Sequence, residues 1–181
     1  MANPKAWIVR VPIEIADKIE TNSVVAISWF EAGNLSNLDT KGKIKSAYRS
    51  AYPGNSESKI NAGAGQLYRF SHEIQVGDFV ITPLKASREV LFSEVVGEYE
   101  FDPEIISKEY PNIRRVKWIL KVPRDKLFPP FINAVRGQLT VFQVRAFSTR
   151  PELLILLPTW VPLILGKRAL KINEWHKPYQ L

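Results

Sequence analysis

Residues 66–101, QLYRFSHEIQVGDFVITPLKASREVLFSEVVGEYEF, constrain the fold more than any other stretch of this chain. A helix or turn ends near Phe70, and Gly77 and Asp78 make a tight turn. Two strands follow, 79–82 and 89–99, joined by a polar hairpin tip at 84–88. β-Branched and aromatic residues between turn residues are the usual mark of strands. Gly97 interrupts the second strand, which is the signature of a bulge or a close backbone approach. The spacing predicts a small curved sheet, one wall of a barrel.

The chain before this hairpin alternates short strands and helices. Residues 7–11 form a strand stopped by Pro12, and Ile15, Ala16 and Ile19 have helical spacing within 14–20. A second strand, 24–29, runs into the small-residue loop 31–36. A helix over 40–52 is capped by Asp39 or Thr40, stopped by Pro53-Gly54, and basic on its exposed face through Lys41, Lys43, Lys45 and Arg49. A further helix spans 56–70, with Gly63 and Gly65 marking a kink or loop. Beyond the hairpin come a helical turn at 103–109, a strand at 113–120, a turn at 123–127, a short helix at 132–137 and a last strand at 139–144. In the 113–120 strand Ile113, Arg115, Lys117 and Ile119 share one face, largely basic. Arg114, Val116, Trp118 and Leu120 share the other, mostly apolar. The last thirty residues, rich in Leu and Pro, abandon this alternation. The expected division is a domain over 1–147 and a tail or linker over 148–181.

With 181 residues, 45% of them hydrophobic, the chain has enough apolar material for one core. It has no cysteine, which excludes disulfides, thiolate metal sites and a thiol nucleophile. The charged N-terminus does not read as a signal peptide, and the longest apolar run, 153–166, contains Pro158 and Pro162 and is too short to cross a bilayer. A cytoplasmic location with no membrane partner is the expectation. The net charge of +7 is uneven: residues 1–100 hold 11 Lys/Arg against 12 Asp/Glu, and residues 101–181 hold 14 against 6. A polyanion partner and a solvated basic surface both fit that excess.

No catalytic set emerges. His72 and His176 lack metal-ligand spacing, and no phosphate loop, nucleophile elbow or dinucleotide fingerprint is present. A binding domain without metal or cofactor is expected. Phe79, Phe92 and Phe142 read as core. Trp29 differs, because it ends a strand and precedes a polar loop, where an indole can stack a flat ring at about 1–3 kcal/mol per base. With Arg114, Arg115 and Lys117 as phosphate contacts, it makes a stacking platform beside an electrostatic grip.

The ordered series WIVR, VAISWFEAGNLSNL, AGQLYRF, EIQVGDFVITP, VGEYEFDP, RRVKWI and LTVFQV, over about residues 5–145, resembles an EVE-like domain of the PUA superfamily. More closely it resembles the N-terminal reader modules of Mrr-type and Mcr-type modification-dependent restriction systems. The resemblance implies an α+β fold with a strongly curved mixed sheet or small β-barrel and surrounding helices. It also implies that a modified base, flipped from its strand, enters an aromatic cage as in the related YTH domains. The family's pocket Trp corresponds to Trp29, with Ser28 and Asn34 to bond the base edge and Trp118, Tyr99 and Phe101 to close the cage. Gln66 and Arg69 fall near the pocket or the nucleic-acid backbone, with Lys41 and Lys45 as further backbone contacts. The implied partner is DNA carrying a modified, methylated base, in a restriction or defence system whose nuclease or AAA+ GTPase lies in another domain or subunit. An RNA-binding PUA-like module and a protein-interaction domain with a vestigial pocket are the alternatives.

Overall fold

The computed structural model describes residues 4–127, 132 and 136–144. They form an α+β fold: a six-stranded mixed sheet with three α-helices. The strands are β1 (Ala6–Val9), β2 (Val24–Ile27), β3 (Phe79–Leu84), β4 (Glu89–Phe101), β5 (Asn112–Pro123) and β6 (Val141–Gln143). The helices are α1 (Ala16–Asn22), α2 (Lys41–Ala51) and α3 (Glu57–Tyr68), the last running on into a π-helical turn at Arg69–Glu73.

The sheet order is β2-β5-β4-β3-β1-β6, and only β1 and β3 pair in parallel. The ladder is open, with β2 and β6 at its edges. The expected barrel or strongly curled sheet is therefore corrected to an open mixed sheet. The predicted helical turn at 103–109 is instead a run of turns, and the 24–29 strand ends at Ile27. Three of the six residues of the helix expected at 132–137 lie outside the described set, as does the whole 148–181 tail.

Alternation along β1 explains its place inside the sheet. Trp7 and Val9 face the helices α2 and α3, while Ala6 and Ile8 face a second cluster with Ile81, Val90 and Phe92. A parallel strand needs both faces covered, and β1 is buried at all four positions. Asp78 fixes the junction. Its carboxylate accepts the Trp7 indole N–H at 2.8 Å, the Lys5 N–H at 2.8 Å and the Gln75 N–H at 3.1 Å. The carboxylate is thus spent on holding the start of β1 against the turn before β3. Gly77, at φ +90°, supplies the left-handed residue that this turn needs.

Both long helices are N-capped, α2 by the expected Thr40 and α3 by Ser56. Thr40 Oγ1 accepts the Lys43 N–H and Ser56 Oγ accepts the Lys59 N–H. Gly63 does not kink α3; it lets the helix pass over Tyr48 of α2, and a Cβ there would land on the buried Tyr48 ring. At Gly65 a Cβ would meet only Arg69 Nη1, at 3.9 Å. Helix propensity alone favours alanine at both positions by about 1 kcal/mol. Overpacking reverses that at Gly63, so G63A is expected to destabilise the domain by about 1–3 kcal/mol. G65A is expected to leave stability unchanged or raise it, and urea unfolding of the two variants side by side measures the contrast.

Candidate nucleic-acid interface

β2 pairs antiparallel with β5 up to Ile27 opposite Asn112, and Asn112 in turn sits opposite Phe101 on β4. Ser28 and Trp29 leave the sheet at this point. Trp29 has φ +61° and ψ +38°, a left-handed conformation that is a genuine outlier for so bulky a residue. Such strain costs about 1–3 kcal/mol and persists only where the surroundings over-determine it. What determines it here is a chain of hydrogen bonds. Asn112 Nδ2 donates to the Ser28 carbonyl at 2.7 Å, Tyr99 Oη donates to Asn112 Oδ1 at 2.7 Å, and the Leu35 N–H donates to Tyr99 Oη at 3.2 Å. The turn is thus clamped on both sides of Trp29. Helix α2 closes it from outside, where Tyr52 donates a hydrogen bond to Glu31. The Trp29 ring stays half-buried against the core.

The opposite wall is the π-helical turn. Its Phe70 ring meets Tyr99 edge-on at a centroid distance of 6.4 Å. A helix end leaves carbonyls without partners, and here side chains take three of them. Arg114 Nε donates to the Phe70 carbonyl at 2.7 Å, Arg114 Nη2 to the Ser71 carbonyl at 2.9 Å, and Gln75 Nε2 to the His72 carbonyl at 2.7 Å. Arg114 Nη1 reaches the Gly97 carbonyl at 3.3 Å and lies 3.7 Å from Glu98. Gly97 lies where two extra residues of β4 bulge against β5 between the Val95–Val116 and Tyr99–Arg114 pairs, as a glycine inside a strand suggests. A Cβ on Gly97 would sit 3.0 Å from Arg115 Cβ, so the close approach is also present.

Several expected site residues prove to be structural. Arg114 is fully buried, which lowers its pKa despite the opposing charges of Glu98 and Asp78, and it is closed to phosphate. Gln66 is also buried: its Oε1 accepts the Thr140 N–H at 2.6 Å and the Val141 N–H at 3.1 Å, clipping β6 to α3. Trp118 lies six residues along β5 from Asn112, roughly 20 Å away, and its indole donates to the Glu20 carbonyl at the end of α1. It belongs to the other end of β2, away from Trp29. Ser28, Trp29, Asn34, Tyr99 and Phe101 do share one end of the sheet. Asn34 is exposed with its Oδ1 accepting the Ser36 N–H, and the Ser28 hydroxyl has no partner among the described residues.

The exposed cations divide similarly. Arg115 is held by Glu100 in a two-pronged pair at 2.8 and 3.0 Å, and Lys45 shares Glu57 with Arg49. Lys43 pairs with Asp39. Lys41, Arg69 and Lys117 have no hydrogen-bond or ion-pair partner among the described residues. Sequence reasoning missed Asn112, Phe70 and the Tyr68–His72 ring pair. The LYRFSH register of the π turn has no local signal, and a polar residue opening a strand reads as a solvated end.

Among the described residues there is no cluster of three metal-ligating side chains, and no helix is long and apolar enough to cross a membrane. A cleft of about 100 Å³ lies on the far side, between Pro12, Ile13 and Ala16 and the hairpin tip at Lys85 and Ser87. The chain belongs to the DUF8426 family, described as a domain of unknown function, whose family model matches residues 11–144. No curated protein matches the chain. Solved structures that resemble it include two YTH proteins, each at 14% identity. One is the YTH domain of the Zygosaccharomyces rouxii MRB1 protein in complex with N6-methyladenosine RNA, with a TM-score of 0.45 over 86% of this chain and 88% of that one. The other is the YTH domain-containing protein mmi1 and RNA complex, with a TM-score of 0.37 over 74% of this chain. The chain spans 64% of the mmi1 structure, less than two thirds of its length.

Burial pushes the Tyr99 hydroxyl pKa up to about 12. A raised pKa means that the neutral phenol is favoured in the folded state. Its contribution is complete below the ordinary value near 10 and is lost as pH rises through about 12. Y99F strands Asn112 Oδ1 and the Leu35 N–H, and is expected to cost about 1–3 kcal/mol near neutrality. Denaturant midpoints measured from pH 8 to 12 should fall for the wild type above pH 10, and that decline should be smaller in Y99F.

Proposed function

We propose that this domain is a non-catalytic reader that receives one modified base, turned out of its nucleic-acid strand, against the Trp29 ring. The observation that carries the reading is Trp29 itself. A half-buried indole is held in strained left-handed backbone by a hydrogen-bond chain that ties its turn to the paired ends of β4 and β5. Strain of this kind clusters at ligand clamps. Ser28 and Asn34 supply an uncommitted hydroxyl and an amide NH₂ at the same lip, suited to a base edge. Tyr99 shapes the wall through its hydroxyl, and Phe101 stands beside it. Lys41 and Arg69, unpaired among the described residues, are the cations assigned to phosphate here; Lys117, five residues along β5 from Asn112, lies toward Trp118 and is not among them. Base extrusion is the general solution for reading an atom hidden in a stack.

DNA as the strand, and a nuclease or AAA+ GTPase as the partner, were implied by the restriction-type motifs and gain no support from the described residues. The deciding experiment therefore carries both nucleic acids. Fluorescence anisotropy at fixed moderate salt compares duplex DNA that is unmodified, adenine-methylated, cytosine-methylated or hydroxymethylated with single-stranded RNA, unmodified and methylated. One modified strand should bind at least about tenfold tighter than its unmodified counterpart, a difference near 1.4 kcal/mol. W29G, which removes the ring and supplies the residue best suited to that φ, should abolish the discrimination and keep the native circular dichroism. Equal, salt-sensitive binding to every strand would leave only a basic surface and overturn the reading.

A further inference from the structure

The π-helical turn carries a second flat surface, distinct from Trp29. Tyr68 and His72 stack on each other with ring centroids 5.0 Å apart and planes 9° apart. Both rings are half-buried. Arg69 follows Tyr68 in the chain, its guanidinium laid back toward Gly65, where the absent side chain leaves room. π Turns inside helices concentrate at functional sites, because the widened turn shifts side chains out of the ordinary helical register. Here the shift is stabilised at some expense, since a buried cation, Arg114, is needed to take the freed carbonyls.

The His72 ring has a defined proton arrangement. Ser71 Oγ donates to the Leu67 carbonyl at 2.8 Å, because a carbonyl can only accept. Ser71 Oγ therefore accepts from His72 Nδ1–H at 2.7 Å, and Nε2, on the far side of the ring, is left as an acceptor. Burial, with the nearby Arg114 charge, lowers the His72 pKa, while Asp39 opposes them, which favours the neutral ring. Asp39 belongs to the loop that begins with Asn34 and Leu35 beside Trp29. That loop, whose Leu38 joins Tyr68 and Trp29 against one core cluster, links the two surfaces.

We propose that Tyr68 and His72 form a stacking platform for a nucleotide flanking the one at Trp29, with Arg69 meeting its phosphate and His72 Nε2 accepting an N–H from the strand. The platform rests on the nucleic-acid reading of the site, but not on base modification, since every base offers a π-face. Its ligand is single-stranded nucleic acid with little sequence preference.

Unmodified nine-nucleotide rA9 and dA9, each fluorescein-labelled, test it on the full chain. Anisotropy should show Y68A/H72A weakening the binding of at least one probe by about tenfold. NMR gives a second readout, taken on the wild-type chain. The chain has two histidines, so the H72Q spectrum identifies the His72 ring signals, and adding the bound oligonucleotide should shift them upfield by ring current. Binding with unmoved His72 signals, or with unchanged affinity in Y68A/H72A, overturns the platform alone. Binding that responds to Y68A/H72A, yet proves indifferent to base modification, supports the platform and overturns the modified-base reading. If neither probe binds at millimolar concentration, the platform falls together with any single-stranded ligand at this site.

Discussion

The buried Arg114 guanidinium is the interaction on which this end of the molecule depends. An uncompensated buried charge is costly, and the nearest carboxylate, Glu98, is largely exposed at 3.7 Å. The compensation comes instead from carbonyls. The C-terminal end of α3 with its π turn is a site of partial negative charge, and Phe70 and Ser71 present two unsatisfied carbonyls there. Gly97, in the β4 bulge, presents a third. One side chain thereby joins a helix end, a bulge and a central strand pair. The helix needs the cation as much as the cation needs the helix.

From that joint the rest of the site follows by contact. Tyr99 is the cross-strand partner of Arg114, and its hydroxyl carries the register of the sheet through Asn112 to Ser28 and through Leu35 to the loop. Trp29 is held because both ends of its turn are held. Phe70, on the π turn, closes the ring of contacts by packing edge-on against Tyr99. A rigid sheet end thus presents a strained loop on one side and a widened helical turn on the other. Binding residues on loops positioned by a rigid scaffold are a general arrangement.

Much of the fold was legible in the chain. The hairpin, the Gly97 bulge, the cap at Thr40 and the three helices follow from local preference and periodicity. The open edge was not legible, because closure depends on whether β2 and β6 meet, and no local pattern encodes that. Trp29 was expected to end its strand, which instead stops two residues earlier at Ile27, and its left-handed backbone has no sequence mark. Arg114 and Gln66 were misplaced for a common reason. A polar side chain in a strand or helix reads as exposed unless its partners are known, and theirs are backbone groups distant in sequence.

The sequence by itself determined the elements, the apolar faces they bury and the aromatic and basic character of the chain. Those properties arise from neighbours within a few positions, where helix and strand periods and turn chemistry act. The tertiary structure decided which polar groups remain free for a ligand. Asp78, Gln66 and Arg114 are spent on backbone N–H and C=O groups up to 75 residues away in the chain, so they serve the fold. Among the described residues, Lys41, Arg69 and the Ser28 hydroxyl are examples of groups left over. A buried polar group must find a partner or destabilise the fold, and only the assembled chain determines which groups are buried.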